Sequence, residues 1–364
     1  MTLTSRLMSP GDRRILCVGD FSGGIHRSDL RFFRELPDAE FVNLGVDGPQ
    51  EESELESFIT LTEALRRYKV GVYEMVVYGR VPAYFRNPRK GLLSNIARCT
   101  RSLFSPKIAL KCYQAIRLLP VFSPKLVIID LEDPPIIDNS RFNQAFHARL
   151  YFKRELPQNP ANSFLYTTAK NEDNGNISRQ PLYEALIGKL RPISIGVETS
   201  LWASAERGRS EKTADVFFCG KVHGRPNRIR GAVCLKQLKE DGFRIDFPEK
   251  GISHSEFLQR CANALTVWSP EGFGYECYRT YEAAALGAVP VLQYPTIQRH
   301  APLVDGVHAL YYGVEEYHMH EVLSRALTDR ERLLKMGRAA QSHVGLRHTH
   351  AALSKSIRET LRAL

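Results

Sequence analysis

The sequence lacks long hydrophobic runs, since no stretch of its 364 residues approaches the roughly 18 consecutive apolar positions that indicate a membrane helix. We therefore expect no membrane-spanning segment. The opening residues, MTLTSRLMSPGDRR, also lack the apolar core of a secretory signal peptide. Together these two absences favour a cytoplasmic protein.

Paired cysteines are absent as well. The seven cysteines are scattered and form no C-x-x-C pair: Cys17, Cys99, Cys112, Cys219, Cys234, Cys261 and Cys277. An odd, unclustered set argues against a disulfide framework and against a cysteine-based zinc site. No G-x-G-x-x-G fingerprint of dinucleotide binding follows the first apolar strand. We therefore expect reduced thiols, no metal and no cofactor.

Acidic residues are missing between Glu74 and Asp130. The same segment, 75–129, carries ten basic residues: Arg80, Arg86, Arg89, Lys90, Arg98, Arg101, Lys107, Lys111, Arg117 and Lys125. Their number equals the net charge of +10, so the rest of the chain is balanced. Such a surface suits an anionic glycan, anionic lipid head groups or nucleic acid. Amphipathic helices with solvated basic faces would give the same pattern.

Apolar stretches of strand length alternate with helical patterns along the whole chain. Strands are predicted at 13–19, 40–44, 73–78, 125–131, 215–219, 243–247, 265–268 and 289–292. Helices are predicted at 28–36, 52–68, 229–240, 253–264, 275–286, 328–343 and 349–363. This alternation is typical of α/β proteins with parallel sheets. The length favours two domains, and we predict Rossmann-like domains at 1–190 and 191–345 that face each other across a cleft.

The stretch from Trp268 to Pro295 combines a strand, a glycine-rich loop, a helix and a second strand. The loop reads EGFG from Glu271 and leads into the predicted helix, which ends at Gly287. The free N–H groups and partial positive charge at a helix N-terminus favour a bound phosphate. We therefore place Ser269, Gly274 and Tyr275 near a nucleotide diphosphate.

Arg279 and Glu282 lie in the first turns of the same predicted helix. One basic and one acidic side chain at this position can bind a diphosphate and a ribose hydroxyl pair. The alternative is an i,i+3 ion pair on a solvated helix face, without a ligand.

The run R-x-x-E-A that begins at Arg279, followed by G-A-V-P-V from Gly287, resembles the donor-binding segment of GT-B glycosyltransferases. It is most similar to the exostosin-like group, over about residues 215–345. Retaining GT-B families place two glutamates eight positions apart, whereas Glu271 and Glu282 are eleven apart. The resemblance therefore implies an exostosin-like, metal-independent and inverting transferase. It also implies that a terminal helix, 346–364, crosses back to the first domain.

A second strand-loop-helix unit surrounds the sequence GKVHGRPNR, which begins at Gly220. Its F-F-x-G, H-G and helix-opening arginine are similar to the same family. The resemblance makes Arg228 the main candidate for a donor phosphate contact, with Gly220, Lys221 and Arg225 beside it. Fixed cations there would stabilise a diphosphate that gains charge as it leaves. A cationic surface loop is the alternative.

Candidate catalytic bases follow the strands of the first half. Asp130, Glu132 and Asp133 come at the end of the strand KLVIIDL, while Asp20 and His26 flank the glycine-rich turn after the first strand. Ligands bind at the carboxyl ends of parallel strands, where a carboxylate or imidazole can accept a proton from an acceptor hydroxyl. Alternatively, Asp130 and Glu132 form a D-x-E metal site, the carboxylates cap the next helix, or the glycines form only a tight turn.

These observations and the resemblance predict transfer of a sugar from a nucleotide-sugar donor to an acceptor hydroxyl, in the synthesis of a cell-surface or other glycan. The donor would lie on the C-terminal domain, and a glycan or lipid-linked acceptor on the N-terminal domain. The basic segment predicts an anionic acceptor and a peripheral contact with the inner, anionic face of a membrane. The alternatives are a DNA-base glycosyltransferase, which requires nucleic-acid binding, and a non-catalytic binding protein of the same fold.

Overall fold

The computed structural model describes residues 14–21, 28–44, 58–79, 118–137, 139–164, 180–207, 211–315 and 317–364. The chain divides into two compact units. Unit 1 comprises Met1–Pro192 and Ser354–Leu364, and unit 2 comprises Ile193–Leu353. His26 and most of the basic segment, residues 80–117, lie outside the described residues.

Unit 1 contains a six-stranded sheet in which every described pairing is parallel. Its strands are β1 (Arg14–Gly19), β2 (Ala39–Asn43), β3 (Tyr73–Tyr78), β4 (Leu126–Asp130), β5 (Leu150–Lys153) and β6 (Leu190–Pro192), in the order β2-β1-β3-β4-β5-β6. Its described α-helices include α1 (Leu61–Lys69), α2 (Asn139–His147) and α3 (Gln180–Ile187). Continuous apolar runs form β1, β3 and β4 because both faces of a parallel sheet are covered.

The helix predicted over 28–36 is wrong. The segment folds as a single 3-10 turn at Arg31–Phe33. Four of its residues are buried within five positions, namely Asp29, Leu30, Phe32 and Phe33. A surface helix buries only one stripe, so this density of buried side chains favours a compact turn between β1 and β2.

Unit 2 contains a five-stranded sheet that is also parallel throughout its described pairings. Its strands are β7 (Ala214–Phe217), β8 (Ile245–Asp246), β9 (Ala264–Trp268), β10 (Val289–Gln293) and β11 (Leu310–Tyr312), in the order β11-β10-β9-β7-β8. Its described helices are α4 (Thr199–Arg207), α5 (Pro226–Glu240), α6 (His254–Asn263), α7 (Tyr278–Ala285), α8 (His318–Leu327) and α9 (Arg330–Arg347).

The strand order of unit 2 reverses between β7 and β9. From β7 the chain moves outward to β8 on one side, and from β9 it moves outward to β10 and β11 on the other. The loops after β7 and β9 therefore leave in opposite directions and open a crevice at the carboxyl ends of these strands, the place where α/β sheets bind ligands. The two glycine-containing loops singled out in the sequence, 218–225 and 269–277, are these loops.

The central helix α7 starts three residues later than predicted, at Tyr278 instead of Tyr275. Residues 275–277 belong to the loop because the carboxylate of Glu276 is held in the core, where it accepts hydrogen bonds from the Tyr281 hydroxyl and the Ile195 N–H. The helix ends at Ala285, one residue before its predicted last residue, Leu286, and Gly287 follows with a φ of +73°, which suits a residue without a Cβ.

The last helix, α10 (His350–Arg362), joins the two units: from Ser354 onward its residues group with unit 1. Its Arg358 donates to Glu74 and Asp38 at 2.7 and 2.6 Å. In the described part of the chain, no helix is both long and apolar enough to cross a membrane. The cysteines described there are free thiols: Cys17, Cys219, Cys234, Cys261 and Cys277.

Candidate functional site

Arg279 occupies the crevice between the loops after β7 and β9. It is the second residue of α7, and its Nη2 donates to the Cys219 carbonyl at 2.8 Å. Its guanidinium lies over the Phe218 ring, 5.1 Å from the centroid. Gly220 leaves space for the guanidinium, because a Cβ at position 220 would stand 3.0 Å from Nη2 of Arg279. The β7 loop thus fixes a side chain that α7 supplies.

The remaining nitrogens of Arg279 have unmet hydrogen-bonding capacity. Nε and Nη1 are buried, and neither has a hydrogen-bond partner among the described residues. A buried charged donor without a partner costs about 1–3 kcal/mol or more. This arrangement is suited to a ligand that brings anionic oxygens, since guanidinium and phosphate pair in a bidentate geometry.

Arg228 lies beside Arg279. It is the third residue of α5 and only 8% exposed, and its Nε and Nη1 donate to the carbonyls of Glu271 and Lys221, both at 3.0 Å. Burial lowers the pKa of Arg228, and the nearby charges of Arg279 and Arg225 lower it further. Two guanidiniums are therefore held close together, which concentrates positive charge in the crevice.

Glu282 contacts a histidine from the neighbouring helix. The Nε2 of His254, the first residue of α6, lies 2.8 Å from Glu282 Oε1. Arg279 instead donates to the β7 loop, so within the described structure Arg279 and Glu282 do not form the i,i+3 ion pair considered above. Glu282 lies one helical turn from Arg279 on α7, and the acid–imidazole pair can bind vicinal hydroxyls.

The other predicted residues of the β9 loop shape its backbone. Ser269 is buried, with its Oγ 2.9 Å from Thr280 Oγ1. The Gly274 carbonyl accepts from the Gly272 N–H at 2.8 Å, and the Tyr275 hydroxyl donates to the Gln293 carbonyl. These contacts hold the loop in place and leave its side chains little freedom to bind a ligand directly.

Lys221 and Arg225 are placed differently from Arg228. The Lys221 side chain is exposed, and its carbonyl supports Arg228. The guanidinium of Arg225 lies 4.2 Å from the ring centroid of Phe273, which is 86% exposed at the tip of the β9 loop. An exposed aromatic ring and a half-buried cation thus form a pair at the mouth of the crevice.

Sequence reasoning missed several supporting residues. His254 falls in the first turn of the predicted helix 253–264 and Phe218 in the predicted strand 215–219, and the sequence assigns neither of them a role. Asn227, whose amide donates to the Glu271 carboxylate, was also missed. Each acts through a partner distant in sequence. For His254 and Asn227 the only local signal was a position in the first turn of a helix.

In unit 1 the structure places Asp130 in a buried ion cluster. Its carboxylate accepts from the Tyr151 hydroxyl at 2.7 Å and lies 3.1 Å from Lys153 Nζ and 3.2 Å from Arg141 Nη1. Burial by itself raises the pKa of Asp130, but Arg141, Lys153 and the Tyr151 hydrogen bond outweigh it and lower the pKa to about 2. The Glu132 N–H donates to the same carboxylate at 3.0 Å.

This cluster argues against two roles considered for Asp130. Its oxygens are already bound by a cation or a donor on every side, and the residue is 1% exposed, so it is poorly placed to accept a substrate proton or to join Glu132 in a metal site. Glu132 pairs with Arg141 at 3.2 Å, and Asp133 pairs with Arg154 while its side chain stays 49% exposed. Asp20 follows β1 and is half-buried.

Solved structures with this fold align over nearly the whole chain. A trehalose-phosphate synthase (UDP-forming) from Burkholderia vietnamiensis has a TM-score of 0.52 at 10% identity, covering 97% of this chain and 100% of its own. Anabaena Alr3699/HepE, solved in complex with UDP, has a TM-score of 0.50 at 15% identity, with 96% and 100% coverage. A sucrose-phosphate synthase from Thermosynechococcus elongatus has 0.50 at 12% identity, with 96% and 98% coverage.

These structures are glycosyltransferases of the GT-B fold, and the likeness confirms the predicted fold class, two parallel-sheet α/β domains of the GT-B type. No family model and no curated protein sequence matches the chain. At identities this low the similarity establishes the fold, and activity has to be argued from the site.

Proposed function

We propose that this protein is a glycosyltransferase that moves a sugar from a nucleotide-sugar donor to an acceptor hydroxyl. One observation supports the proposal most directly: Arg279 is half-buried beside Arg228, and its buried Nε and Nη1 have no hydrogen-bond partner among the described residues. A diphosphate would supply acceptors to that guanidinium and neutralise the pair. Alr3699/HepE, one of the similar structures, was solved with UDP.

The same geometry suits the chemical step. When the bond between sugar and diphosphate breaks, the diphosphate gains negative charge. Cations that are already fixed in place stabilise this charge more in the transition state than in the ground state. Arg279 and Arg228 would perform this task together with the N-terminus of α7, so we propose transfer without a metal ion. Glu282 and His254 would bind the ribose hydroxyls.

The finer assignments rest on sequence. We propose an exostosin-like transferase from the R-x-x-E-A and G-A-V-P-V motifs, and an inverting reaction because the retaining spacing of glutamates is absent. Inversion requires a base. Because Asp130 is enclosed by cations, the remaining candidates are Glu132, Asp133, Asp20 and His26.

The acceptor is proposed to be a glycan or a lipid-linked sugar. This proposal, like that of a peripheral contact with an anionic membrane, rests on the composition of the basic segment 75–129. Sedimentation with liposomes of neutral and of anionic lipid tests the membrane contact. We expect binding to anionic liposomes only, and a decrease as salt screens the charges.

Calorimetric titration of UDP, GDP, ADP, CMP and dTDP tests the donor site. We expect one nucleotide to bind wild-type protein, and the variant Arg279→Ala to bind it about 30-fold more weakly, because a charge-assisted contact of about 2 kcal/mol is lost. Arg338→Ala, at an exposed arginine of α9, is the matched control and should bind as wild type does. Absence of binding to every nucleotide, or binding that Arg279→Ala leaves unchanged, would refute the proposed site.

Turnover separates an enzyme from a non-catalytic binding protein of the same fold. The corresponding nucleotide-sugar is incubated with the protein and a panel of acceptor glycosides, and release of the nucleoside diphosphate is followed. Release by wild type, with loss in Arg279→Ala, would support transfer. Tight donor binding without release of the nucleoside diphosphate, either by transfer to an acceptor or by slow hydrolysis of the donor, would favour a binding protein.

A further inference from the structure

A second pocket lies beside the donor crevice of unit 2. It opens between the first turns of α5 and the segment that connects β11 to α8, and it has a volume of about 180 Å³. Four exposed apolar side chains line it: Ile229, Val233, Val314 and Tyr317, with exposed fractions of 46, 50, 67 and 57%. Contiguous exposed apolar side chains often mark a binding site, whereas apolar side chains scattered singly over a surface do not.

The inner end of this pocket is polar. Gln293, the last residue of β10, lines it and is only 8% exposed. Its side-chain Oε1 is buried and has no hydrogen-bond partner within the described residues. An unpaired acceptor at the base of a pocket points to a ligand that carries a hydroxyl or amide donor.

The wall of the pocket adds further donors and acceptors to the apolar surface. Asn227, Arg230, Gln237 and Glu315 line it together with the apolar residues. Such a mixture matches a sugar ring, which has apolar C–H faces and a perimeter of hydroxyls. A hydrocarbon chain would cover the valines equally well, but it would leave the Gln293 oxygen without a partner.

The size of the pocket limits the ligand to one ring. A cavity of about 150 Å³ holds a benzene-sized molecule, so 180 Å³ accommodates a single six-membered ring. The pocket also shares residues with the donor site. Asn227 lines the pocket and donates to the Glu271 carboxylate, while the Gln293 carbonyl accepts from Tyr275 of the β9 loop.

We propose that this pocket binds one pyranose ring, stacked against its apolar wall and hydrogen-bonded to Gln293. The inference rests on the proposed function, because the ring would belong to one of the two sugars that the reaction joins. The acceptor and the glycosyl group of the donor are the two sources of such a ring.

Saturation-transfer NMR with the methyl α-glycosides of glucose, galactose and mannose tests the pocket, with and without UDP. Two variants alter it: Val233→Phe fills the space, and Gln293→Leu removes the amide at nearly constant volume. Val307→Phe is the matched control, since Val307 is 49% exposed elsewhere in unit 2. We expect at least one glycoside to bind wild type and the control, and to bind both pocket variants at least tenfold more weakly.

Calorimetry with UDP and with UDP-glucose distinguishes the two sources of the ring. If the ring belongs to the acceptor, glycosides bind as above and both pocket variants bind UDP-glucose as wild type does. If it belongs to the donor, the variants lose affinity for UDP-glucose but keep that for UDP. The proposal is overturned if neither ligand class responds to Val233→Phe, or if the pocket takes up a fatty acid and no glycoside.

Failure of the proposed function gives a different result. In that case Arg279→Ala leaves nucleotide binding unchanged, or no nucleotide binds, whatever the glycosides do. Arg279 is not among the described residues that line the pocket, and its guanidinium contacts the Cys219 carbonyl and the Phe218 ring, so the two tests address different side chains.

Discussion

Replacing Asp130 by asparagine should destabilise unit 1 severely. The carboxylate compensates Lys153, which is 0% exposed, and Arg141, which is 7% exposed. Removal of one partner from a buried ion pair leaves an uncompensated charge, which costs about 3–5 kcal/mol. Part of this energy can be worked out from the pKa of Asp130. Its decrease from an ordinary 3.8 to about 2 in the folded protein corresponds to about 2 kcal/mol.

The pH dependence has a definite sign. Because the folded protein lowers the pKa of Asp130, the stabilisation is complete above the unfolded value near 3.8 and is lost as the pH falls toward about 2. Wild-type unit 1 should therefore lose stability between about pH 4 and pH 2. The variant Asp130→Asn should lack that part of the pH dependence.

Amide hydrogen exchange of β4 and β5 measures this stability locally. Both tryptophans, Trp202 and Trp268, lie in unit 2, so tryptophan fluorescence during urea unfolding serves as an internal reference. The matched control is Asp133→Asn, at a carboxylate whose side chain is 49% exposed. Its partner Arg154 is buried but keeps a second carboxylate, Glu155, at 3.3 Å, so we expect a smaller loss of stability than in Asp130→Asn. Equal exchange in the two variants would refute the view that Asp130 holds the cluster together.

Three further outcomes follow from unit 2. His254→Ala and Glu282→Gln should each weaken the binding of a nucleoside diphosphate about tenfold, or about 1.4 kcal/mol, as measured by calorimetry. Inorganic diphosphate, which has no ribose, should bind both variants as it binds wild type. Equal losses of affinity for both ligands would contradict a ribose contact. Phe218→Leu should weaken nucleotide binding by about threefold, since a cation–π contact of about 0.5–1 kcal/mol is lost; unchanged affinity would show that the ring does not position the guanidinium. Gly231→Ala should lower the stability of unit 2 by about 1–3 kcal/mol, because a Cβ would stand 2.0 Å from Cζ2 of Trp268. Urea unfolding followed by tryptophan fluorescence measures this loss of stability. An unchanged unfolding midpoint would contradict the close packing.

The strands were the most predictable part of this fold. The strand β3 occupies the predicted residues 73–78, and β10 extends only one residue beyond its prediction. Buried parallel strands read as continuous apolar runs, so the signal is local. Helix ends depend more on tertiary contacts. The loop before α7 is longer than predicted because Glu276 binds the Ile195 N–H from a distant part of the chain, and no local pattern reveals that bond.

Some features of the candidate site could likewise be predicted from the sequence, and others could not. Glycines, an arginine at a helix start and the G-A-V-P-V strand are visible in the sequence, and the structure places Arg228 and Arg279 in one crevice as that motif implies. The sequence did not reveal which of the cations are enclosed. Arg228 is buried while Lys221 is exposed, a difference that depends on the carbonyls of both loops. Similarly, the three carboxylates at the end of β4 look equivalent in sequence, but only Asp130 contacts Lys153 as well as Arg141, whereas Glu132 contacts Arg141 and Asp133 contacts Arg154.

The close placement of Arg228 and Arg279 has an energetic consequence that the sequence motif does not reveal. Holding Arg228 next to Arg279 opposes folding, since each guanidinium is partly desolvated and repels the other. The two guanidiniums satisfy the carbonyls of Cys219, Glu271 and Lys221, but the described part of unit 2 offers no acceptor to Nε and Nη1 of Arg279. The buried nitrogens of Arg279 would remain costly in the absence of ligand and would become favourable once anionic oxygens pair with them. A fold that keeps such a pair is destabilised in its free state and stabilised by a ligand that carries at least two negative charges. A diphosphate satisfies this condition, whereas a neutral sugar or a single carboxylate does not, and for that reason the diphosphate proposal depends more on these two side chains than on the fold.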